Sequence, residues 1–125
     1  MYIPSINRVK DQKTWDYLPE EWQRKTKTFI VCPESEAYEH KKRGRNVLVH
    51  PTSCTHIGRV RQWIVENAKT KYILMCDDDH AFYTRKDPEK YNLRYAEKSE
   101  MGVILGAMED MLVVEKLHHC GMGVR

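Results

Sequence analysis

KYILMCDDD, residues 71–79, is the stretch that decides the fold. Five apolar or weakly polar residues, 72–76, run without alternation, which is typical of a strand buried on both faces of a parallel sheet. Asp77, Asp78 and Asp79 follow at once, and three adjacent ionised carboxylates need a counter-charge or a metal. Because ligands of open α/β sheets bind at the carboxyl ends of strands, the stretch predicts a divalent cation at the tip of a central strand.

The rest of the chain alternates short apolar segments with helical patterns, which predicts an α/β fold with a mostly parallel sheet flanked by helices. Three further strands are predicted at residues 2–3, 29–32 and 46–51, each closed by a proline. Helices or helical turns are predicted at residues 10–18, 20–22, 58–70 and 100–117. The remaining segments are predicted as a basic surface turn (39–46), a loop over the acidic tip (80–95) and the entry to another strand (118–125).

Helical spacing also predicts which side chains face the core. In the first helix these are Trp15 and Leu18. In the helix before the acidic stretch they are Ile57, Val60, Ile64 and Ala68. In the last helix the predicted apolar face consists of Val103 or Ile104, Ala107 or Met108, Met111, Leu112 and Leu117.

Composition limits the class of protein. A chain of 125 residues with 41% hydrophobic and 31% charged residues is expected to form one domain, residues 1–125. No apolar run reaches the length of a membrane span and no signal-peptide pattern opens the chain, so we expect a cytoplasmic protein with no membrane partner. The net charge of +3 permits an anionic partner without requiring one.

The cysteines and histidines do not form a recognisable metal or disulfide pattern. The four cysteines are scattered without a Cys-x-x-Cys pair, which argues against a disulfide scaffold and a zinc ribbon. His50, Cys54 and His56 lie close in sequence, but their spacing matches no zinc motif, so we interpret them as packing and surface residues.

The Asp-x-Asp pattern after a buried strand, preceded by a helix that carries Gly58 and Arg61 in a Gly-x-x-Arg arrangement, resembles the GT-A glycosyltransferases that use nucleotide sugars. An ordered set of segments is more specific and resembles the TET-associated glycosyltransferases of bacteriophages and related genomes, from Tyr2 to the final GMGVR. These segments are YIPSINR, VCPESEAY, VLVHP, IGRVRQWIVENA and YILMCDDDHAFY. The resemblance implies a Rossmann-like GT-A half-domain that binds the nucleotide sugar and is incomplete at its C-terminus, since the acceptor-binding half would follow.

The resemblance also implies roles for residues at matching positions. Those around the nucleotide would be Pro4, Ser5 and Arg8, with Pro33, Glu34 and Glu36 near the base or ribose. Those near the diphosphate would be Gly58, Arg61 and Gln62, and a guanidinium suits phosphate because it binds bidentately. Asp79 would hold Mn²⁺ or Mg²⁺, Asp77 would face the ribose or share the metal, and Asp78 could serve either task.

The implied reaction is metal-dependent transfer of a sugar from a UDP-sugar, within a bacterial or phage-infected cell, to an acceptor, for which the resemblance suggests hydroxymethylpyrimidine in DNA. The sequence assigns no catalytic base. Glu109 and Asp110 lie inside a long predicted helix, where acids are usually solvated, so we do not nominate them.

Other interpretations remain open. A metal-dependent nuclease or phosphotransferase could use the same acidic tip if Glu34, Glu36 or Glu39 converged on it, and the chain could instead be a non-catalytic nucleotide-binding fragment. Arg8 and Arg61 could be ordinary surface ion-pair partners, and Phe82 and Tyr83 could cover the sugar or anchor their loop. The basic run at residues 41–45 could be a solvated turn or contact DNA phosphates.

Overall fold

The computed structural model describes residues 1–24, 28–85, 87, 92–117 and 120–121. The chain divides into two compact units, Met1–Ala81 and Phe82–Arg125. A single domain over residues 1–125 stays a prediction. The strand expected at residues 118–125 falls largely outside the described residues.

The first unit is built on a three-stranded parallel sheet with the order β1-β2-β3. Its strands are β1 (Tyr2–Pro4), β2 (Phe29–Cys32) and β3 (Val47–Val49), so the predicted parallel α/β arrangement is confirmed. β2 pairs on both sides and buries Ile30 and Val31 completely, because an apolar run between two neighbours has no exposed edge.

Residues 71–76 do not form the predicted central strand. Met75 makes one isolated parallel bridge to Tyr2, supported by hydrogen bonds from Tyr2 N to Leu74 O (2.8 Å) and from Cys76 N to Tyr2 O (3.2 Å). Residues 73–75 are half-buried and only Cys76 is buried, so the prediction of a strand covered on both faces is wrong. The segment lies beside β1, on the side away from β2, and it still delivers the three aspartates just beyond the end of β1.

The helices of the first unit follow the strands, as the alternation predicts. They are α1 (Lys13–Tyr17), α2 (Glu20–Gln23), α3 (Glu34–Lys42) and α4 (Ile57–Asn67). Residues 39–42 are the last turn of α3, so the predicted surface turn is wrong there and begins only at Arg43. Gly44, with a φ of +75°, makes that turn in a conformation that favours glycine.

One apolar cluster joins the sheet to α4. Tyr2 and Val31 from the sheet pack with Cys54, Val60 and Ile64. The predicted stripe of α4 is therefore confirmed in its centre, and Ala68 is partly buried at its end. The prediction that Ile57 belongs to this stripe is wrong, because Ile57 is 40% exposed.

The second unit contains a hairpin and a helix. β4 (Tyr83–Arg85) pairs with β5 (Leu93–Tyr95) in antiparallel fashion, so the prediction of a loop is wrong at residues 83–85 and 93–95. α5 (Lys98–Val113) begins with a capping box between Glu97 and Glu100. Glu100 also accepts two hydrogen bonds from Arg94, at 2.6 and 2.8 Å.

The buried face of α5 agrees only in part with the predicted one, since Ile104, Met108 and Leu112 are half-buried. Met101 and Leu105 are buried, whereas Val103 is 74% exposed and Met111 and Leu117 are also exposed. An apolar helix offers several possible faces to a periodicity argument, and tertiary contacts choose among them. Within the described part of the chain, no helix has both the length and the apolarity that crossing a membrane requires.

Candidate functional site

A cleft of about 270 Å³ opens at the carboxyl end of β1. Three segments form it: the end of β1 with the loop that follows, the first turns of α4, and the acidic turn after the Met75 bridge. Its lining residues are Pro4, Ile6, Arg8, Ile57, Arg61, Asp77, Asp78 and Asp79. The sheet edge that the sequence predicted as a ligand site is therefore a concave, charged site.

Two arginine–aspartate pairs face this cleft. Arg8 donates from Nη1 to Asp79 Oδ2 at 3.1 Å, and its Nε lies 3.9 Å from Asp78 Oδ1. Arg61 donates from Nη2 to Asp77 Oδ1 at 2.5 Å. The side chains of Arg8, Arg61, Asp77 and Asp79 are 39–46% exposed, so solvent or a ligand can reach both pairs.

Asp78 differs from its two neighbours because it is buried. Its Oδ2 accepts a hydrogen bond from Ser5 Oγ at 2.9 Å, and Gln12 Nε2 lies 3.4 Å from the same oxygen. Burial raises the pKa of the Asp78 carboxyl, and the Ser5 hydrogen bond and the Arg8 charge oppose that rise. The Asp78 carboxyl is therefore held inside the site by Ser5 and Gln12.

The start of α1 fixes the backbone of the acidic turn. Thr14 N donates to Asp78 O at 3.1 Å, and the Thr14 hydroxyl donates to Asp77 O. The same hydroxyl accepts a hydrogen bond from His80 N at 3.0 Å. A single buried threonine thus holds three points of the turn that carries the carboxylates.

The loop after β1 is fixed from the other side by α3 and the turn behind it. Asn7, at a φ of +61°, donates its N–H to Glu36 Oε1 at 2.8 Å. Arg45 Nη1 donates to Val9 O at 2.6 Å. Glu36, predicted near the base or ribose, therefore supports the loop that carries Arg8.

The remaining predicted residues do not line the cleft. Ser5 lies behind Asp78, and Pro33 is the N-cap of α3. Gly58 lies in the first turn of α4, where an added Cβ would approach the His56 ring to 3.2 Å. Gln62 donates to Glu66 along the exposed face of α4, at 2.8 Å. The binding roles of these residues stay predictions.

The donor set can be compared with what a divalent cation requires. Among the described residues, no three His, Cys, Asp or Glu side chains are placed to hold a metal together. Mg²⁺, however, is commonly held by one or two carboxylates and completed by substrate phosphates and water. Exposed Asp77 and Asp79 in one cleft fit that second arrangement. A nuclease-type metal site gains no support, since none of Glu34, Glu36 and Glu39 lines the cleft.

Sequence reasoning missed the residues that support the site. Gln12 donates from Nε2 to Ser5 Oγ at 2.6 Å and to Arg8 O at 2.9 Å, and it is fully buried, as is Thr14. Gln12 is the N-cap of the short helix α1 and Thr14 lies in its first turn, both within a polar segment. No local pattern marks a glutamine or threonine as buried, because its partners lie up to 66 residues away in the chain.

The comparisons with known proteins agree with the resemblance. A family model described as TET-Associated Glycosyltransferase matches residues 1–125, the whole chain. No curated protein and no solved structure matches the chain. The match over the full length confirms the family suggested by the ordered sequence segments, and the chain belongs to the TET-associated glycosyltransferases.

Proposed function

We propose that this glycosyltransferase takes its sugar from a UDP-sugar, with Mn²⁺ or Mg²⁺ as cofactor, and that its first unit is the donor-binding part of a Rossmann-like GT-A fold. The observation that carries the proposal is the cleft at the end of β1, where Arg8 and Arg61 meet Asp77 and Asp79. Cations and carboxylates side by side suit a ligand that combines a diphosphate with a metal.

The proposed roles follow from exposure and charge. Arg8 and Arg61 would exchange part of their contact with the carboxylates for contact with the diphosphate, since exposed ion pairs are weak enough to rearrange. Asp79 and Asp77 would then be available to hold the cation. When bound, such a cation would offset the negative charge that develops on the departing UDP.

The proposed acceptor is a hydroxymethylated pyrimidine in DNA. It rests on the family resemblance, and the net charge of +3 is compatible with an anionic polymer. Incubating the protein with labelled UDP-sugar and DNA that contains hydroxymethylcytosine should label the DNA. Equal label on unmodified DNA, or none on either, would exclude this acceptor.

Calorimetric titration with UDP tests the donor site, with and without Mn²⁺. Wild-type protein should bind UDP more tightly when Mn²⁺ is present, and Asp79→Asn should lose that difference because it lacks one of the two proposed metal ligands. Glu66→Gln is the matched control, since it makes the same carboxylate-to-amide change on the exposed face of α4.

Two results would separate the parts of this proposal. Wild-type protein that binds UDP equally well with and without Mn²⁺ would remove the metal while leaving the nucleotide site. Protein that binds neither UDP nor UDP-sugars would overturn the donor assignment altogether.

A further inference from the structure

Three side chains that do not line the cleft hold the backbone on either side of Arg8. Glu36 Oε1 accepts the N–H of Asn7 at 2.8 Å, and Gln12 donates to Arg8 O at 2.9 Å. Arg45 Nη1 donates to Val9 O at 2.6 Å. Three successive residues of one loop are thus fixed by side chains from α3, the turn behind it and the start of α1.

Arg45 is the unusual member of this set because it is a buried cation. Its side chain is 6% exposed, and burial lowers the pKa of its guanidinium. A buried arginine is costly unless its donors are well used. Its Nη1 lies 2.6 Å from Val9 O and 3.3 Å from His40 Nδ1, and its Nη2 lies 3.8 Å from Asp16 Oδ1.

His40 completes the support and is itself completely buried. Its Nδ1 faces Arg45, and its Nε2 lies 3.8 Å from Glu36 Oε2. Burial lowers the pKa of His40 to about 4, with the charges of Arg45 and Arg43 acting in the same direction. A neutral imidazole can accept a hydrogen bond from Arg45, so Glu36, His40 and Arg45 form one contiguous row behind the loop.

We propose that Arg45 is a positioning residue for Arg8, acting through Val9 O to hold the Arg8 side chain towards the donor diphosphate. This inference rests on the proposed function for its consequence in binding. Arg45 does not line the cleft, whereas Arg8 does, so an effect of Arg45 on the ligand must pass through the loop. Losing a side chain that orients a metal ligand commonly costs tenfold or more in metal affinity, and we expect a cost of that order for the orientation of Arg8.

A double-mutant cycle on UDP affinity tests the route of this effect. Arg45→Met should weaken Mn²⁺-dependent UDP binding about tenfold in the wild-type background. In the Arg8→Ala background the same substitution should change affinity less than about twofold, because the residue through which Arg45 acts is already gone. Equal losses in both backgrounds, or no loss in either, would overturn the proposal.

Arg43→Met is the matched control, since it removes an exposed arginine from the same turn and should leave UDP affinity at the wild-type value. Arg45→Lys serves if Arg45→Met does not fold. It keeps the charge but lacks the planar fork, so it should give a smaller loss that again disappears with Arg8→Ala. A loss that persists with Arg8→Ala would count against the proposal.

A measurement without nucleotide separates this inference from the proposed function. The Nε–H resonance of Arg8, assigned by its disappearance in Arg8→Ala, should report an ordered side chain in the wild type and an averaged one in Arg45→Met. If wild-type protein bound no UDP, the donor assignment would fail. The Arg8 resonance alone would then test whether Arg45 positions Arg8. An unchanged Arg8 resonance in Arg45→Met would overturn the positioning role.

Discussion

The two arginines of the cleft have opposite surroundings. The Arg8 side is supported by buried polar residues, with Ser5 and Gln12 against Asp78 and with Arg45 against the loop. The Arg61 side consists of one exposed helical arginine in contact with Asp77, whose Oδ2 also lies 3.8 Å from His80 Nε2. We infer that the Arg8 side contributes stability and fixed geometry, whereas the Arg61 side is free to rearrange around a ligand.

The largest expected effect is a difference in the free energy of unfolding between the Asp78→Ala and Asp77→Ala variants. Asp78→Ala should lower the free energy of unfolding by about 3 kcal/mol, because it removes a buried charged acceptor and leaves Ser5 Oγ and Gln12 Nε2 without it. Asp77→Ala should change it by less than about 0.5 kcal/mol, since its ion pair is exposed. Urea unfolding at pH 7 measures both, and similar losses would contradict the proposed contrast.

A pH dependence should come from His40, on the supported side. Its folded-state pKa of about 4 lies below the ordinary value of 6.5, so the unfolded chain binds more protons between these values. The stability associated with neutral His40 is therefore complete above pH 6.5 and is lost as the pH falls towards 4. Between pH 7 and pH 5 this loss amounts to about 2 kcal/mol.

Urea unfolding across that pH range, for wild-type protein and His40→Gln, measures the effect. The variant should lose less stability than the wild type on acidification, because glutamine can accept the Arg45 hydrogen bond and does not titrate. Parallel curves for the two proteins would show that His40 does not carry the pH dependence.

The smallest expected change in free energy comes from a substitution on the exposed Arg61 side of the cleft. Arg61→Ala should weaken UDP binding about tenfold, a loss of about 1.4 kcal/mol, because one of the two proposed phosphate-binding guanidinium groups is removed. Its free energy of unfolding should stay within about 0.5 kcal/mol of the wild type. Arg59→Ala removes a second exposed arginine of α4 and should change neither quantity. If Arg61→Ala proved as destabilising as Asp78→Ala, the contrast between the two sides would fail.

The parts of the fold that the sequence predicted well have strong local signals. Residues 29–32 are an apolar run that ends at Pro33, and β2 occupies those residues. In α4, Val60 and Ile64 recur at helical spacing and are buried as expected. In such segments, the apolar side chains that predict the strand or helix are the same ones that are buried in the core.

Other elements were missed because tertiary contacts decide them. Residues 71–76 have the composition of a strand, but the segment meets the sheet only at Tyr2, so one bridge forms. α3 buries only Ala37 and His40, which leaves too little apolar periodicity to predict a helix there. The hairpin strands have three residues each, too few for alternation to be convincing.

The residues of the candidate site likewise fall into a group that the sequence predicted and a group that it did not. Arg8, Arg61 and the three aspartates were predicted, and the structure brings them together in one cleft. Arg45 was interpreted as part of a basic surface run, but it is buried. A buried polar residue is recognised only from its partners, and those of Arg45 include Val9, which lies 36 residues away in the chain.

The contacts of Thr14 have a consequence for the thermodynamics of binding. Asp77 O, Asp78 O and His80 N are all hydrogen-bonded to this one residue, so the backbone of the acidic turn is ordered before any ligand arrives. Fixing the backbone of a flexible residue costs roughly 1–2 kcal/mol, and a mobile turn would incur that cost each time it closed on a cation. In this protein the cost of fixing that backbone is part of folding, so a ligand needs to immobilise only the exposed side chains.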